Sequence, residues 1–135
     1  MAQVGRSVAT LRVAGVDLVP DEVSELLGIQ PTHAQRKGQP SRSGMHLATF
    51  GLWRLEARNR EPENVNGQVE ELLSQVTSKL EVWRVLGRRF EVDLFCGWFM
   101  NESNEGLDIS PANLLALGER GIQLSLDIYA PTTAE

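Results

Sequence analysis

Residues 8–27 read VATLRVAGVDLVPDEVSELL, and this stretch decides the fold. Over residues 8–14 every second side chain is apolar, which is the period of a strand with one buried face. Pro20 suits the first position of a helix, and the acidic residues that follow it favour the positive end of the helix dipole. We therefore predict a strand followed by a short helix that ends at Gly28.

The same helix start recurs later in the chain. Gly15–Leu26 aligns without gaps with Gly106–Leu117, and the glycine, the aspartate, the proline and the final leucine are identical. In each segment an apolar residue before the cap can contact the fourth helical residue. Common helix-start chemistry can recur by chance, but the matching glycine and aspartate favour two related strand–helix–strand halves.

Apolar periods predict the remaining elements. Residues 67–87 follow the spacing of an amphipathic helix of about five turns. Alternating patterns predict strands over residues 46–58, 90–99 and 122–129, a third helix covers residues 111–120, and residues 30–44 form a loop. Alternation in all four strands favours an antiparallel sheet with one covered face. We predict an α+β two-layer sandwich, a mainly antiparallel four-stranded sheet with three helices on one face and pseudo-duplicated strand–helix–strand halves.

Length and charge restrict the class of protein. The 135 residues correspond to a single domain over residues 1–135 with its core over about 7–129, and the net charge of -5 disfavours nucleic-acid binding. One cysteine excludes a disulfide framework and a Cys-rich zinc site. No segment reads as a membrane helix or a signal peptide, so we expect a cytoplasmic protein without membrane contact. No motif indicates a metal or another cofactor, and we expect none.

The side of the sheet without helices is a candidate contact surface. It would carry acids, an arginine and aromatic rings, and a protein partner is one class that fits it. The candidate interface residues are Arg12, Asp93, Phe95, Asp127 and Tyr129. Exposed sheet edges also make a homodimer plausible under any function.

The segment 31–60 is locally basic in an acidic chain. It contains six arginines and lysines and two histidines but a single acid, Glu56, so it can receive an anionic small ligand. The candidate ligand-binding residues are Thr32, His33, Arg36, Lys37, Trp53 and Arg54. Trp53 and Trp98 would supply an apolar wall. The alternative is a surface loop whose arginines pair with glutamates elsewhere.

Evidence for catalysis is weaker. Cys96 falls on the apolar side of its strand, which indicates a buried structural cysteine rather than a nucleophile. Asp93 and Asp127 occupy similar strings and would act as acid and base if they met in a cleft. RNA stacking on Phe95 and Tyr129 ranks last, because neighbouring acids repel phosphate.

Several strings together resemble a known family. They are Gly15–Val23, Gln30-Pro31-Thr32 with Arg36-Lys37-Gly38, Gly51-Leu52-Trp53, Val92–Gly97, Ile109-Ser110-Pro111 and Leu126–Tyr129. Over residues 7–129 the chain is similar to the bacterial family of domain of unknown function 4279. The resemblance implies a bacterial source and a stand-alone domain, and it implies no activity or catalytic residue. It also implies an aromatic residue before Lys37, where this chain has His33-Ala34-Gln35.

These observations favour a non-catalytic binding module that engages a protein partner, of inhibitor or immunity type. An acidic surface would complement a basic partner. The alternatives are a sensor of a small anionic ligand that uses the basic segment 31–60, and a hydrolase-like enzyme that uses Asp93 and Asp127.

Overall fold

The computed structural model describes residues 2–132. Five strands and four helices follow one another along the chain, and their bounds are β1 Arg6–Gly15, α1 Pro20–Leu27, β2 His33–Gln35, β3 Gly51–Glu56, α2 Val65–Gln75, α3 Leu80–Arg89, β4 Glu91–Phe99, α4 Pro111–Glu119 and β5 Gln123–Tyr129. The α+β class is confirmed. Within these residues, no helix combines the length and the apolar character needed to cross a bilayer.

The sheet is mixed and has the order β2-β3-β1-β4-β5. The contacts β2–β3, β3–β1 and β1–β4 are antiparallel, whereas β4 and β5 run parallel. The expectation of four mainly antiparallel strands was wrong in detail, because α4 carries the chain back across the sheet before β5 begins and so returns it in the same direction. β1 and β2 also run in the same direction, but β3 lies between them. β4 and β5, which α4 connects, are therefore the parallel strands that are direct neighbours.

The expected helix over residues 67–87 is two helices. Residues 76 and 79 have extended backbone, and the N–H of Thr77 donates to the carbonyl of Leu27 at 3.0 Å. The Thr77 hydroxyl accepts from the N–H of Lys79 at 3.2 Å, a local bond that competes with helix continuation. Trp83 then donates its indole N–H to the Thr77 carbonyl at 2.9 Å, which fixes the bend. Residues 2–132 therefore contain four helices instead of the expected three.

Two strand boundaries also differ from the sequence pattern. The predicted loop over residues 30–44 contains the short strand β2, and the strand expected from residue 46 begins at Gly51. Leu47, expected to point inward with Trp53 and Leu55, is 62% exposed. At Gly51 a side chain would approach the carbonyl oxygen of Leu18 to 2.5 Å, so the start of β3 requires glycine for close backbone packing.

The core lies between the sheet and the helices. Inward side chains of β1, β3 and β4 join apolar residues of all four helices in one cluster, which includes Val13, Trp53, Leu72, Trp83 and Leu117. Alternate strand residues point the other way and are half-buried or exposed. This second side, which we call the open face, is the surface on which polar and aromatic side chains collect.

Candidate functional site

One row of polar side chains crosses the open face from edge to edge. The strand register places His33, Arg54, Arg12, Asp93 and Gln123 side by side on the five strands. Directly opposed residues in a sheet lie close enough for their side chains to interact. The row therefore brings two arginines next to each other, with a carboxylate on one side of the pair and a histidine on the other.

Arg12 and Asp93 form the fixed centre of this row. The Nε of Arg12 donates to Asp93 Oδ1 at 2.8 Å and its Nη2 donates to Oδ2 at 2.5 Å. The Ser125 hydroxyl donates to the same carboxylate at 2.8 Å, and the Arg12 guanidinium lies 4.6 Å from the centroid of the Phe95 ring. The hydrogen bond to Asp93 raises the pKa of Arg12 above its ordinary value, although burial opposes this.

Arg54 differs from Arg12 because its charge is not neutralised. Among residues 2–132, its side chain makes no hydrogen bond or ion pair, and its Nε is buried without an acceptor. A buried guanidinium N–H without an acceptor is unfavourable. Arg54 also faces Arg12 directly, and like charges directly opposed across strands are destabilising.

A groove lies beside Arg54 at the end of the open face where β1 ends and β4 and β5 begin. It has a volume of about 580 Å³. Ala14, Phe50, Leu52 and Phe90 contribute apolar lining, and the two arginines, Glu91, Asp93 and Gln123 contribute polar lining. Its size and mixed lining are typical of sites for small ligands.

A second cluster occupies the opposite end of the open face. The rings of Phe99 and Tyr129 stack with their centroids 4.6 Å apart, and the Arg6 guanidinium lies 3.8 Å above the Phe99 ring. The Tyr129 hydroxyl donates to Asp127 at 2.6 Å. This hydrogen bond, with the negative charge of Asp127, raises the pKa of Tyr129. The cluster is a second ordered contact surface, made of aromatic rings and charges.

The six candidate ligand-binding residues are not in one place. His33 and Arg54 are neighbours on the open face. Arg36 and Lys37 are exposed in the turn after β2, and the Thr32 hydroxyl accepts from the N–H of Glu56 at 3.0 Å. Trp53 must be corrected as a ligand wall, because it is fully buried on the helix side of the sheet and donates its indole N–H to Ser24.

The other basic residues of segment 31–60 are also dispersed. Arg58 and Arg60 both contact Glu71 of α2, at 3.7 Å and 2.9 Å. These two follow the alternative reading, in which arginines pair with glutamates elsewhere in the chain. Burial raises the pKa of Glu71, but the hydrogen bonds from Arg58 and Arg60 and their charges lower it overall. The sequence cluster of positive charge is therefore not one site in space.

The acid–base pair expected for an enzyme is not formed. Asp127 lies level with Gly97 and Asp93 with Gln123, so four residues, about 13 Å of strand, separate the carboxylates. Asp93 is bound by Arg12 and Ser125, and Asp127 by Tyr129. This spacing removes the argument for the hydrolase reading. The five candidate interface residues do share the open face, at its centre and at the Tyr129 end.

Cys96 is fully buried on the inward side of β4, as its position in the sequence predicts. Burial, with a smaller contribution from the charge of Asp93, raises the pKa of the thiol to about 12. A thiol in this environment is not an activated nucleophile. In the described part of the chain, no three His, Cys, Asp or Glu side chains meet in a way that could hold a metal ion.

Sequence reasoning missed the apolar half of the groove. The strand predicted over residues 46–58 contains Phe50 and Leu52 but starts five residues too early, and the alternation over residues 8–14 does not indicate a ligand contact at Ala14. The juxtaposition of Arg12 with Arg54 depends on which strands are neighbours. A signal was available for Phe50 alone, since an aromatic residue next to a strand-breaking glycine falls at a strand end, where sites often form.

Comparison with known proteins identifies the family of the chain. A search of curated proteins and a search of solved structures each gave no match. The model of the family described as Domain of unknown function (DUF4279) matches residues 3–131, nearly the whole chain. The family expected from the sequence strings is thereby confirmed, and this protein belongs to the Domain of unknown function (DUF4279) family.

Proposed function

We propose that the protein is a non-catalytic binding module and that the open face is its binding surface. The observation that carries the proposal is the fixed arrangement of charged and aromatic side chains on the side of the sheet opposite the helices. Arg12 contacts both Asp93 and Phe95 at the centre, and Phe99 and Tyr129 stack at one end. Side chains fixed before binding lose little conformational entropy when a partner arrives.

Two observations favour binding over catalysis. The carboxylates that would act as acid and base lie far apart and are occupied by other side chains. The thiol of Cys96 is inside the core with a raised pKa. Neither the two carboxylates nor the thiol has the neighbours that general acid–base or nucleophilic catalysis requires, which supports a binding role.

The partner we propose is a protein, in an inhibitor or immunity role. The net charge of -5 supports a basic partner, because complementary charge accelerates association and excludes acidic competitors. Tyr129 and Phe95 supply the aromatic contacts that protein interfaces favour.

Site-specific photo-crosslinking in cells of the source organism tests this proposal. A photoreactive amino acid replaces Gln123 or Asp127, two exposed positions on the open face, and Glu25, an exposed position of α1, serves as the control. We expect one and the same protein adduct from both open-face positions and none from position 25. Adducts that form equally from all three positions, or only from position 25, would contradict the proposal.

A second candidate function is sensing of a small anionic ligand. The unpaired Arg54 beside a groove of about 580 Å³ favours it. In contrast to the reading from sequence, this groove is lined by only Arg54 of the six candidates, with His33 as the neighbour of Arg54 on β2.

We also propose that the chain forms a homodimer through β5. This strand is at the edge of the sheet, and its residues Leu126 and Ile128 are 45% and 52% exposed. An apolar edge strand is a template for pairing with a second copy. Light scattering of the wild-type protein and of the variant Leu126→Lys gives the test, and a wild-type monomer at all concentrations would contradict it.

The bacterial source and the cytoplasmic location stay predictions from the sequence.

A further inference from the structure

We propose that the groove beside Arg54 binds a small ligand that carries a single carboxylate on an apolar body. The inference rests on the proposed function, because it assigns a ligand class to one end of the open face. Its elements are an unpaired guanidinium, a balanced set of neighbouring charges and an apolar floor.

The unpaired guanidinium is the first element. Arg54 faces Arg12, and only Arg12 has an acidic partner. A carboxylate at Arg54 would remove the like-charge repulsion between the two arginines. Arg54 borders the groove, and the Nε of its Nε–Nη edge has no acceptor in the described residues. Arginine forms paired hydrogen bonds with a planar carboxylate through such an edge.

The balance of charge selects a singly charged ligand. Glu91 and Asp93 line the same groove as Arg12 and Arg54, so the two arginines face two acids. A ligand with one negative charge meets the free cation without approaching the acids. A phosphate or a dicarboxylate brings a second charge, which Glu91 and Asp93 repel.

The apolar lining selects the rest of the ligand. Phe50 is 41% exposed, and it borders the groove together with Ala14, Leu52 and Phe90. An adjoining groove of about 480 Å³ shares Ala14, Phe50 and Phe90 with the first. Val16, which is 53% exposed, lines it together with Arg88 and Arg89. Covering Phe50 and Val16 with an apolar ligand removes apolar surface from water, which favours binding.

The test is a titration of the isotope-labelled full chain followed by nuclear magnetic resonance. The probe is 3-phenylpropionate. Its amide serves as the uncharged control ligand, and phenylsuccinate serves as the control ligand with a second charge. We expect saturable shifts of the amide signals of Ala14, Leu52 and Arg54 with 3-phenylpropionate. The amide and phenylsuccinate should each bind at least about tenfold more weakly. The amide has no charge to meet Arg54, and the second carboxylate of phenylsuccinate is repelled by Glu91 and Asp93.

Two variants assign the effect to Arg54. Arg54→Met keeps the apolar part of the side chain and removes its charge, and we expect it to weaken binding of 3-phenylpropionate at least about tenfold. Arg42→Met makes the same change at an exposed residue of the loop before β3 and should leave binding unchanged. If Arg54→Met does not fold, the comparison of acid with amide in the wild-type protein decides the question.

Three results would overturn the inference. They are equal affinity for the acid and the amide, shifts confined to residues outside the groove, and equal binding by the Arg54→Met and Arg42→Met variants. The photo-crosslink at Asp127 lies at the other end of the face and separates the two proposals. If the crosslink forms while 3-phenylpropionate fails to bind, only the ligand class is wrong, whereas failure of both refutes the binding function of the open face.

Discussion

Breaking the contact between Arg12 and Asp93 should destabilise the fold and disorganise the open face. Asp93→Ala removes the acceptor of two Arg12 N–H groups and of the Ser125 hydroxyl. It also leaves two unpaired arginines opposite each other, because Arg54 faces Arg12. The Asp93 side chain is 17% exposed and that of Arg12 is 36% exposed, so water screens the pair only in part.

The magnitude follows from this partial exposure. Hydrogen bonds to charged groups contribute about 1.5–3 kcal/mol when buried, whereas exposed ion pairs contribute about 0.2–1 kcal/mol. We therefore expect a coupling energy of about 1–2 kcal/mol between Arg12 and Asp93. Asp93→Ala alone should lower the free energy of unfolding by about 2–3 kcal/mol, since it also breaks the bond from Ser125 and exposes Arg12 to the charge of Arg54.

Urea denaturation of four proteins measures this coupling. They are the wild type, Asp93→Ala, Arg12→Met and the double variant, and the coupling energy is the deviation of the double variant from additivity. Met keeps an unbranched apolar side chain at position 12 and removes the guanidinium, including its contact with the Phe95 ring. The matched control is the same cycle on Glu22 and Arg89, a hydrogen-bonded pair whose side chains are 42% and 45% exposed, for which we expect at most about 1 kcal/mol.

The reasoning fails if the Arg12–Asp93 coupling does not exceed that of the exposed Glu22–Arg89 pair. It also fails if Asp93→Ala leaves the free energy of unfolding within about 0.5 kcal/mol of the wild type, the range of ordinary surface changes. In either case the centre of the open face would not be fixed by this carboxylate.

Other contacts give further predictions. Gln68→Leu removes a fully buried side-chain amide that is hydrogen-bonded to Ser7 of β1 and to the carbonyl of Arg58 after β3. We expect the free energy of unfolding to fall by about 2–4 kcal/mol in urea denaturation, and an unchanged midpoint would contradict this. Because the pKa of Glu71 is lowered in the fold, Glu71→Gln should cost about 1 kcal/mol at neutral pH. That difference from the wild type should shrink as the pH falls through the ordinary pKa of glutamate, about 4.3, and should disappear once the pH is below the lowered pKa of Glu71 in the fold. A difference that persists in strong acid would refute the ionic origin. Burial, with a smaller contribution from the charge of Asp93, raises the pKa of the Cys96 thiol to about 12. This thiol should therefore react with a thiol reagent only after unfolding, and rapid reaction of the folded chain would contradict its burial. Asp127→Asn should lower the raised pKa of Tyr129, the only tyrosine, and ultraviolet absorbance of the tyrosinate reads this directly; an unchanged titration would show that the hydrogen bond is absent in solution.

The limits of the sequence are clearest in the break between α2 and α3. The apolar period continues through residues 67–87 because Val76 and Trp83 both face the core. The break depends on the bond from Thr77 to Leu27, a residue about fifty positions away, which a local pattern does not contain. Periodicity reports which side chains are buried and not whether one helix or two bury them.

The candidate site shows the same division. The alternation within β1, β4 and β5 was enough to place Arg12, Asp93 and Tyr129 on one face. It was not enough to show that Arg54 lies beside Arg12, since that contact requires β3 to pair with β1. Trp53 illustrates the converse error, because a residue next to Arg54 in sequence points to the opposite side of the sheet.

The amino-acid sequence by itself determined which side chains of β1 and β4 face inward, where α1 and α4 start, the burial of Cys96 and the family. These properties follow from local periods, caps and strings of residues. Only the tertiary structure decided the order and direction of the strands, the division of the long helix and the place of Arg54 next to Arg12 and the groove. The physical reason is that strand pairing joins residues far apart in the chain, and the energy that selects one pairing comes from packing of the whole core rather than from any single segment.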